Sequence, residues 1–222
     1  MRTCWVIPPG HHAEFVAGLA DVLEVYRCPD DPPRPVIGLD EQPTPLSGAT
    51  RTPLPVQPGP AQRYDSAYAR SGTANHFIIV APVAGWRQVS VRPTTTALDL
   101  AQEIKALLDV DYPRTEKVVL GWDSLNTPAP ASRYRAFPPQ EARRLLDRWE
   151  VHDTPQHGSW LDIAESELSV FTPPCLDRRI DDIDTLRGEA KAGADRRKAS
   201  RAVADWPFTT DHARIKLNRL YP

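Results

Sequence analysis

Apolar residues return every three or four positions between residues 12 and 26. Phe15, Val16, Leu19, Val22, Leu23 and Tyr26 fall on one side of a 3.6-residue repeat, so the spacing predicts an amphipathic helix. Pro8 and Pro9 precede it, and the prolines from Pro29 to Pro35 end it. The period then changes. Val36 to Leu39 is a short apolar run that stops at Asp40 and Glu41, and such a run beside prolines reads as a buried strand. Phe77 to Val83 is a second strand signal, Gly85-Trp86 a turn, and Gln88 to Val91 alternate as a third strand. Thr96 followed by Asp99 marks a helix start, and Leu98, Ala101, Ile104, Leu107 and Leu108 give that helix its apolar face. Val118 to Trp122 is a fourth strand, ending on Asp123. A loop rich in Pro and Ala follows. Residues 139–149 then read as a helix, Trp149 to His152 as a short strand, Trp160 to Val170 as a helix, and 181–204 as a last, highly charged helix. Early antiparallel strands, then a helix, a strand and more helices predict an α/β fold, a mixed sheet covered by helices.

Composition narrows the picture. The 222 residues are 41% hydrophobic and 25% charged, ordinary for a globular domain, which excludes wholesale disorder. Prolines number 24 against 11 glycines. Six of them, at 43, 45, 53, 55, 58 and 60, fall within residues 42–63, which predicts an edge strand, an extended loop or both. Cys4, Cys28 and Cys175 are odd in number and far apart. A zinc ribbon, a redox pair and a disulfide framework are therefore not expected, and a reducing compartment fits. No apolar run approaches the roughly 18 residues of a membrane span, and the first residues lack a signal-peptide pattern. A cytoplasmic protein without a membrane partner is expected. The net charge of −2 excludes a uniformly basic chain held to nucleic acid by bulk electrostatics. No Gly-rich phosphate loop with Lys-Ser or Lys-Thr occurs, and Gly158-Ser159-Trp160 lacks the second Gly of a nucleophile elbow.

The candidate chemistry lies at strand ends. Val36-Ile37-Gly38-Leu39-Asp40 and Val118-Val119-Leu120-Gly121-Trp122-Asp123 each deliver one carboxylate where a buried strand leaves the sheet. If these strands are parallel neighbours, both acids emerge at one sheet edge, a common ligand position in α/β folds. Two close carboxylates repel in a low dielectric, and a hard cation such as magnesium between them relieves the repulsion. Ordinary loop polarity is the competing explanation. A third acid is sought in residues 157–169, where Leu161, Ala164 and Leu168 share a helical face while Asp162 and Glu165 are neighbours three apart. The competing reading there is a solvated acidic face.

Taken together, these blocks resemble the catalytic domain of bacterial mariner-like transposases, the insertion-sequence-630 group of the DDE superfamily. The matching pieces are Leu39-Asp40-Glu41, Trp122-Asp123-Ser124-Leu125-Asn126-Thr127, the stretch from His157 through Asp162 to Glu165, and Leu176-Asp177-Arg178-Arg179. Gly72-Thr73-Ala74-Asn75, Ala84-Gly85-Trp86-Arg87 and Ala213 to Leu217 also fit, so the resemblance runs from about Trp5 onward. It implies a ribonuclease H-like fold with a mixed five-stranded sheet flanked by helices. It divides the chain into a lead-in (1–34), a catalytic domain (35–180) and a charged helical tail (181–222). It matches the family's three acids to Asp40, Asp123 and Glu165, which would hold two Mg2+ or Mn2+ ions for DNA strand cleavage and strand transfer. Asn126, His157 and Asp162 would support that site, whereas Glu41, next to Asp40 on an extended strand, should point to the opposite side. Ser124 and Pro128 stand where the family has Asn and His, and Asp162 where it has Asn. Those departures leave two other readings: an inactive remnant or accessory DNA-binding protein, and a nuclease of the same fold. The implied partners are double-stranded DNA at transposon ends and target, further copies of the chain on that DNA, and a separately encoded helix-turn-helix half. The implied location is the nucleoid.

Charge splits by position in a way the total hides. From Asp177 onward there are 11 Lys and Arg against 8 Asp and Glu, a net of +3, leaving −5 for the rest. Arg196-Arg197-Lys198 with Arg201 would lie along one helix side within reach of a phosphate backbone, and Arg214 and Lys216 form a second candidate. A solvated helix face paired with Asp195 is the competing reading. His11-His12 reads as surface polarity, and the tryptophans as core or interface.

Overall fold

The computed structural model describes residues 10, 12–51, 67–123, 131–176, 178–203 and 206–221; at 123 and 171–176 it describes the backbone alone. Five strands form one sheet in the order β3-β2-β1-β4-β5, with β1 (Val36–Ala49), β2 (Tyr68–Ala81), β3 (Trp86–Arg92), β4 (Val118–Asp123) and β5 (Trp149–Thr154). β1 to β3 are antiparallel; β4 runs parallel to β1, and β5 parallel to β4. The helices are α1 (Ala13–Tyr26), α2 (Ala97–Ala106), α3 (Ala131–Ala136), α4 (Pro139–Asp147), α5 (Ile163–Leu176), α6 (Ile183–Ala199) and α7 (Thr210–Lys216).

Local chemistry explains several boundaries. His12 ends the approach to α1 by accepting a hydrogen bond at Nδ1 from the Phe15 amide, 3.1 Å away. Thr96 and Asp99 form the reciprocal capping box that their spacing predicts. α2 then runs into a π turn, Leu107–Asp111, that the apolar spacing did not reveal. The spacing does not predict α3 and α7 either, because six or seven residues hold too few periods to distinguish a helix from a loop.

β1 joins two expectations in one strand, the apolar run to Leu39 and the proline-bearing edge strand expected from residue 42. The short run to Leu39 continues as strand through Pro43 and Pro45 to Ala49, paired with β2 throughout and broken only by a register shift at Leu46/Ser47. Val119 donates to the Pro35 carbonyl, so the odd-numbered residues of this part of β1 turn their backbone polar groups toward β4. Pairing with β4 stops at Leu39. Pro43 and Pro45 therefore face an edge where no described strand asks for a ladder donor, which is where a strand tolerates proline.

Strand alternation gives the sheet two faces. Ile37, Leu39, Phe77, Ile79, Leu120 and Trp122 pack with Leu100, Ile104, Leu107 and Leu145 in one apolar core. On the other face Ile78 and Val80 meet Ile163, Ala164 and Leu168 of the α5 start. Leu46, Ala74 and Val91 meet Leu186, Ala190 and Ala194 of α6. Phe15, Leu19, Val22 and Leu23 of α1 pack with Leu161 and with Ala213, Leu217 and Leu220 near the C-terminus.

Candidate active site

β1 and β4 are parallel neighbours in register from Val36↔Val119 to Leu39↔Trp122. Asp40 and Asp123 are the next position on each, so the two lie side by side where β4 ends; contrary to expectation, Asp40 does not leave the sheet but sits within β1, which runs on to Ala49. By alternation both positions fall on the face of Gly38 and Gly121, opposite the Leu39–Trp122 core. Asp40 is half-buried, and its Oδ1 accepts from the Glu41 amide at 2.8 Å. Glu41 follows on the opposite face, as expected of an extended strand.

Glu165 lies exposed in the first turn of α5. The expected helix from Trp160 is in fact two pieces. Ser159–Leu161 is a single 3-10 turn, Asp162 is extended, and α5 begins at Ile163. Asp162 causes the break: it is buried, and its Oδ1 accepts from the Ala164 amide at 2.7 Å, which caps the helix. Leu161 consequently packs with α1 rather than sharing a face with Ala164 and Leu168. Of the two neighbouring acids, Asp162 is turned into the fold and Glu165 faces solvent.

Two buried polar groups on this face escaped the sequence reading. Glu167, two residues beyond Glu165, receives Arg197 Nε and Nη2 at 2.5 and 3.0 Å and lies 2.9 Å from Arg87 Nε. This ion triad ties α5 to β3 and α6, and Arg87 is fully buried. His76, also fully buried, lies 3.1 Å through Nδ1 from Thr44 Oγ1, and burial pushes its pKa down to about 4. Their signal was present: Arg87 alternates with Val89 and Val91, and His76 with Ala74, Ile78 and Val80, so each polar residue occupies an inward strand position.

The remaining candidates are spread out. His157 is exposed on a turn with φ of 66°. Asn126, with Ser124 and Pro128, lies outside the described residues. The basic run of α6 does not lie along one helix side, because consecutive residues are about 100° apart. Arg196 is exposed, Arg197 turns in to Glu167, and Lys198 sits over the Trp86 ring at 5.3 Å. Arg201 follows the helix in a turn with φ of 47°. Asp195 pairs with Lys191, Arg214 with Asp211, and Lys216 approaches the Phe208 ring at 5.8 Å. Among the described side chains no three carboxylates, histidines or cysteines form a metal-holding group, and the side chain at 123 is not one of them. The donor chemistry of Asp40, Asp123 and Glu165 is oxygen only, which fits a hard divalent cation.

No protein-family model and no curated protein matches the chain. Among solved structures it is similar to the mariner Mos1 paired end complex with Mg, with a TM-score of 0.59 and 16% identity, over 100% of this chain and 67% of that one. The Mos1 Strand Transfer Complex aligns at a TM-score of 0.46 and 14% identity, over 92% of this chain and 67% of that one. The first of these likenesses shows the fold: a ribonuclease H-like mixed five-stranded sheet flanked by helices.

Proposed function

We propose that the chain is the catalytic domain of a mariner-like transposase of the insertion-sequence-630 group, which cuts DNA at transposon ends and joins the cut strand to target DNA. One observation carries this reading: the parallel register of β1 and β4, which sets Asp40 beside Asp123 at the end of β4. The start of α5, packed over the same face, adds Glu165. The likeness to a mariner complex solved with Mg on paired ends supports it. Asp40, Asp123 and Glu165 would hold two Mg2+ or Mn2+ ions. Those ions would supply the charge that activates an attacking water or 3′-hydroxyl and stabilises the leaving oxygen.

The part of the chain's own residues is positioning. The Glu41 amide orients Asp40. Asp162 holds the helix end that carries Glu165, and the Glu167 triad holds that helix to the sheet. Arg196, Arg201, Arg214 and Lys216 are exposed and suited to phosphate contact. Arg197 and Lys198 would take part less directly, since Glu167 and Trp86 engage them. The partners in this reading are double-stranded DNA, further copies of the chain on paired ends and a separate helix-turn-helix half, at the nucleoid. A second reading, DNA binding without cleavage, is favoured by Ser124 and Pro128.

A labelled duplex bearing candidate transposon ends tests these readings. Nicking at the ends should require Mg2+ or Mn2+ and vanish in Asp40→Ala and Asp123→Ala. Cleavage that survives either substitution refutes the site. Binding without cleavage supports the second reading, and nicking of any duplex regardless of its ends supports a nuclease.

A further inference from the structure

The strands that carry Asp40 and Asp123 each place a glycine two residues earlier, and the register sets Gly38 directly against Gly121. Another element enters at each. A Cβ on Gly38 would lie 2.5 Å from Ile163 Cγ2 and 3.3 Å from the Ala164 amide nitrogen. A Cβ on Gly121 would lie 3.1 Å from the Tyr26 hydroxyl oxygen. The two intruders are joined, because the Ile163 amide donates to that same hydroxyl oxygen at 3.2 Å. A slot two glycines wide thus receives the last residue of α1 and the first residue of α5, linked by one hydrogen bond. Burial and the nearby Asp162 carboxylate raise the Tyr26 pKa, so the hydroxyl stays protonated. The Trp206 ring packs against Tyr26 at 5.4 Å.

We propose that Tyr26 is a positioning residue for the metal-holding carboxylates: its hydroxyl, seated on Gly121, sets the start of α5 against β1 and β4 and so fixes Glu165 relative to Asp40 and Asp123. This rests on the reading of those acids as a metal site. Glu165 lies two residues after Ile163 in the same helical turn, so displacing the Ile163 amide displaces Glu165 with it. Tyr26 acts through backbone and packing. The glycines explain why the position is tight: a side chain on either strand would push the α5 start or Tyr26 outward.

The test uses the full chain with Tyr26→Phe, Gly121→Ala and the double variant. Mn2+ affinity is read by calorimetry, amide exchange at residues 163–165 by NMR, and folding by thermal melting. Tyr26→Phe and Gly121→Ala should each weaken Mn2+ binding by about tenfold, the lower end for groups that orient metal ligands. Each should also speed exchange at Ile163. The double variant should bind no more weakly than Tyr26→Phe, because the added methyl meets an oxygen that is gone. Losses that add in full overturn the proposal, as does a lowered melting temperature with parental Mn2+ affinity. If the parent itself takes no Mn2+, the metal reading fails. Exchange then decides alone, and parental exchange in Tyr26→Phe refutes the positioning role.

Discussion

On the sheet face covered by α2 and α4, the strands present Ile37, Leu39, Phe77, Ile79, Leu120 and Trp122. On the face covered by α1, α5 and α6, strands β1 to β4 present Gly38, Asp40, His76, Arg87 and Gly121 among apolar residues such as Ile78, Val80 and Val91. The first face is held by apolar burial, which is non-directional and tolerant of small shifts. The second gives up apolar area for glycine clearances, a buried ion triad and a buried imidazole, all of which act only at defined distances. Such groups make poor general-purpose glue, since a buried pair is costly to desolvate. They are suited to holding one helix in one place, and the helix they hold carries Glu165.

The largest expected effect would break this contrast at its most polar point. Glu167→Ala leaves Arg87 buried without its carboxylate partner, and urea unfolding should show a loss of about 3–5 kcal/mol. A loss under about 1 kcal/mol would mean that the triad does not hold the α5 face.

Acid sharpens the contrast next. His76 stays neutral when folded, with a pKa of about 4 against 6.5 for an ordinary histidine. Above pH 6.5 neither state binds a proton there. Between pH 6.5 and 4 the unfolded chain binds one that the folded chain refuses, so stability falls as pH falls, by at most about 3 kcal/mol in all. Urea midpoints between pH 7 and 4.5 should show that slope, and His76→Gln should flatten it. An unchanged slope in the variant would sink the assignment.

The smallest effect belongs to the apolar face. Thr96→Ala removes the α2 cap and should lower stability by about 1 kcal/mol. Mn2+ affinity should stay at the parental value, because α2 packs on the face away from Asp40. A change in Mn2+ affinity would show that the two faces are not independent.

Much of this was legible in the residues. The periods of α1, α2 and the central strands, the Thr96–Asp99 cap, and the acids that close the apolar runs of β1 and β4 are all local patterns. They depend on neighbours within one turn or one strand, so one chain segment is enough to declare them. The Glu167 triad was legible only in hindsight, from a charge at an inward strand position, because its partners lie 30 and 80 residues away in the chain.

The chain by itself determined which segments are apolar on one side, where helices begin, and that two buried runs end in aspartate. Tertiary structure alone decided that those runs are parallel neighbours in register, since pairing is a choice between segments some 80 residues apart. It also let β1 continue through Pro43 and Pro45, because no described strand pairs with the edge they face. It split the expected Trp160 helix at Asp162, where a side-chain cap competes with the helix backbone. It brought Gly38 and Gly121 together as one slot, a relation that no spacing within either segment encodes.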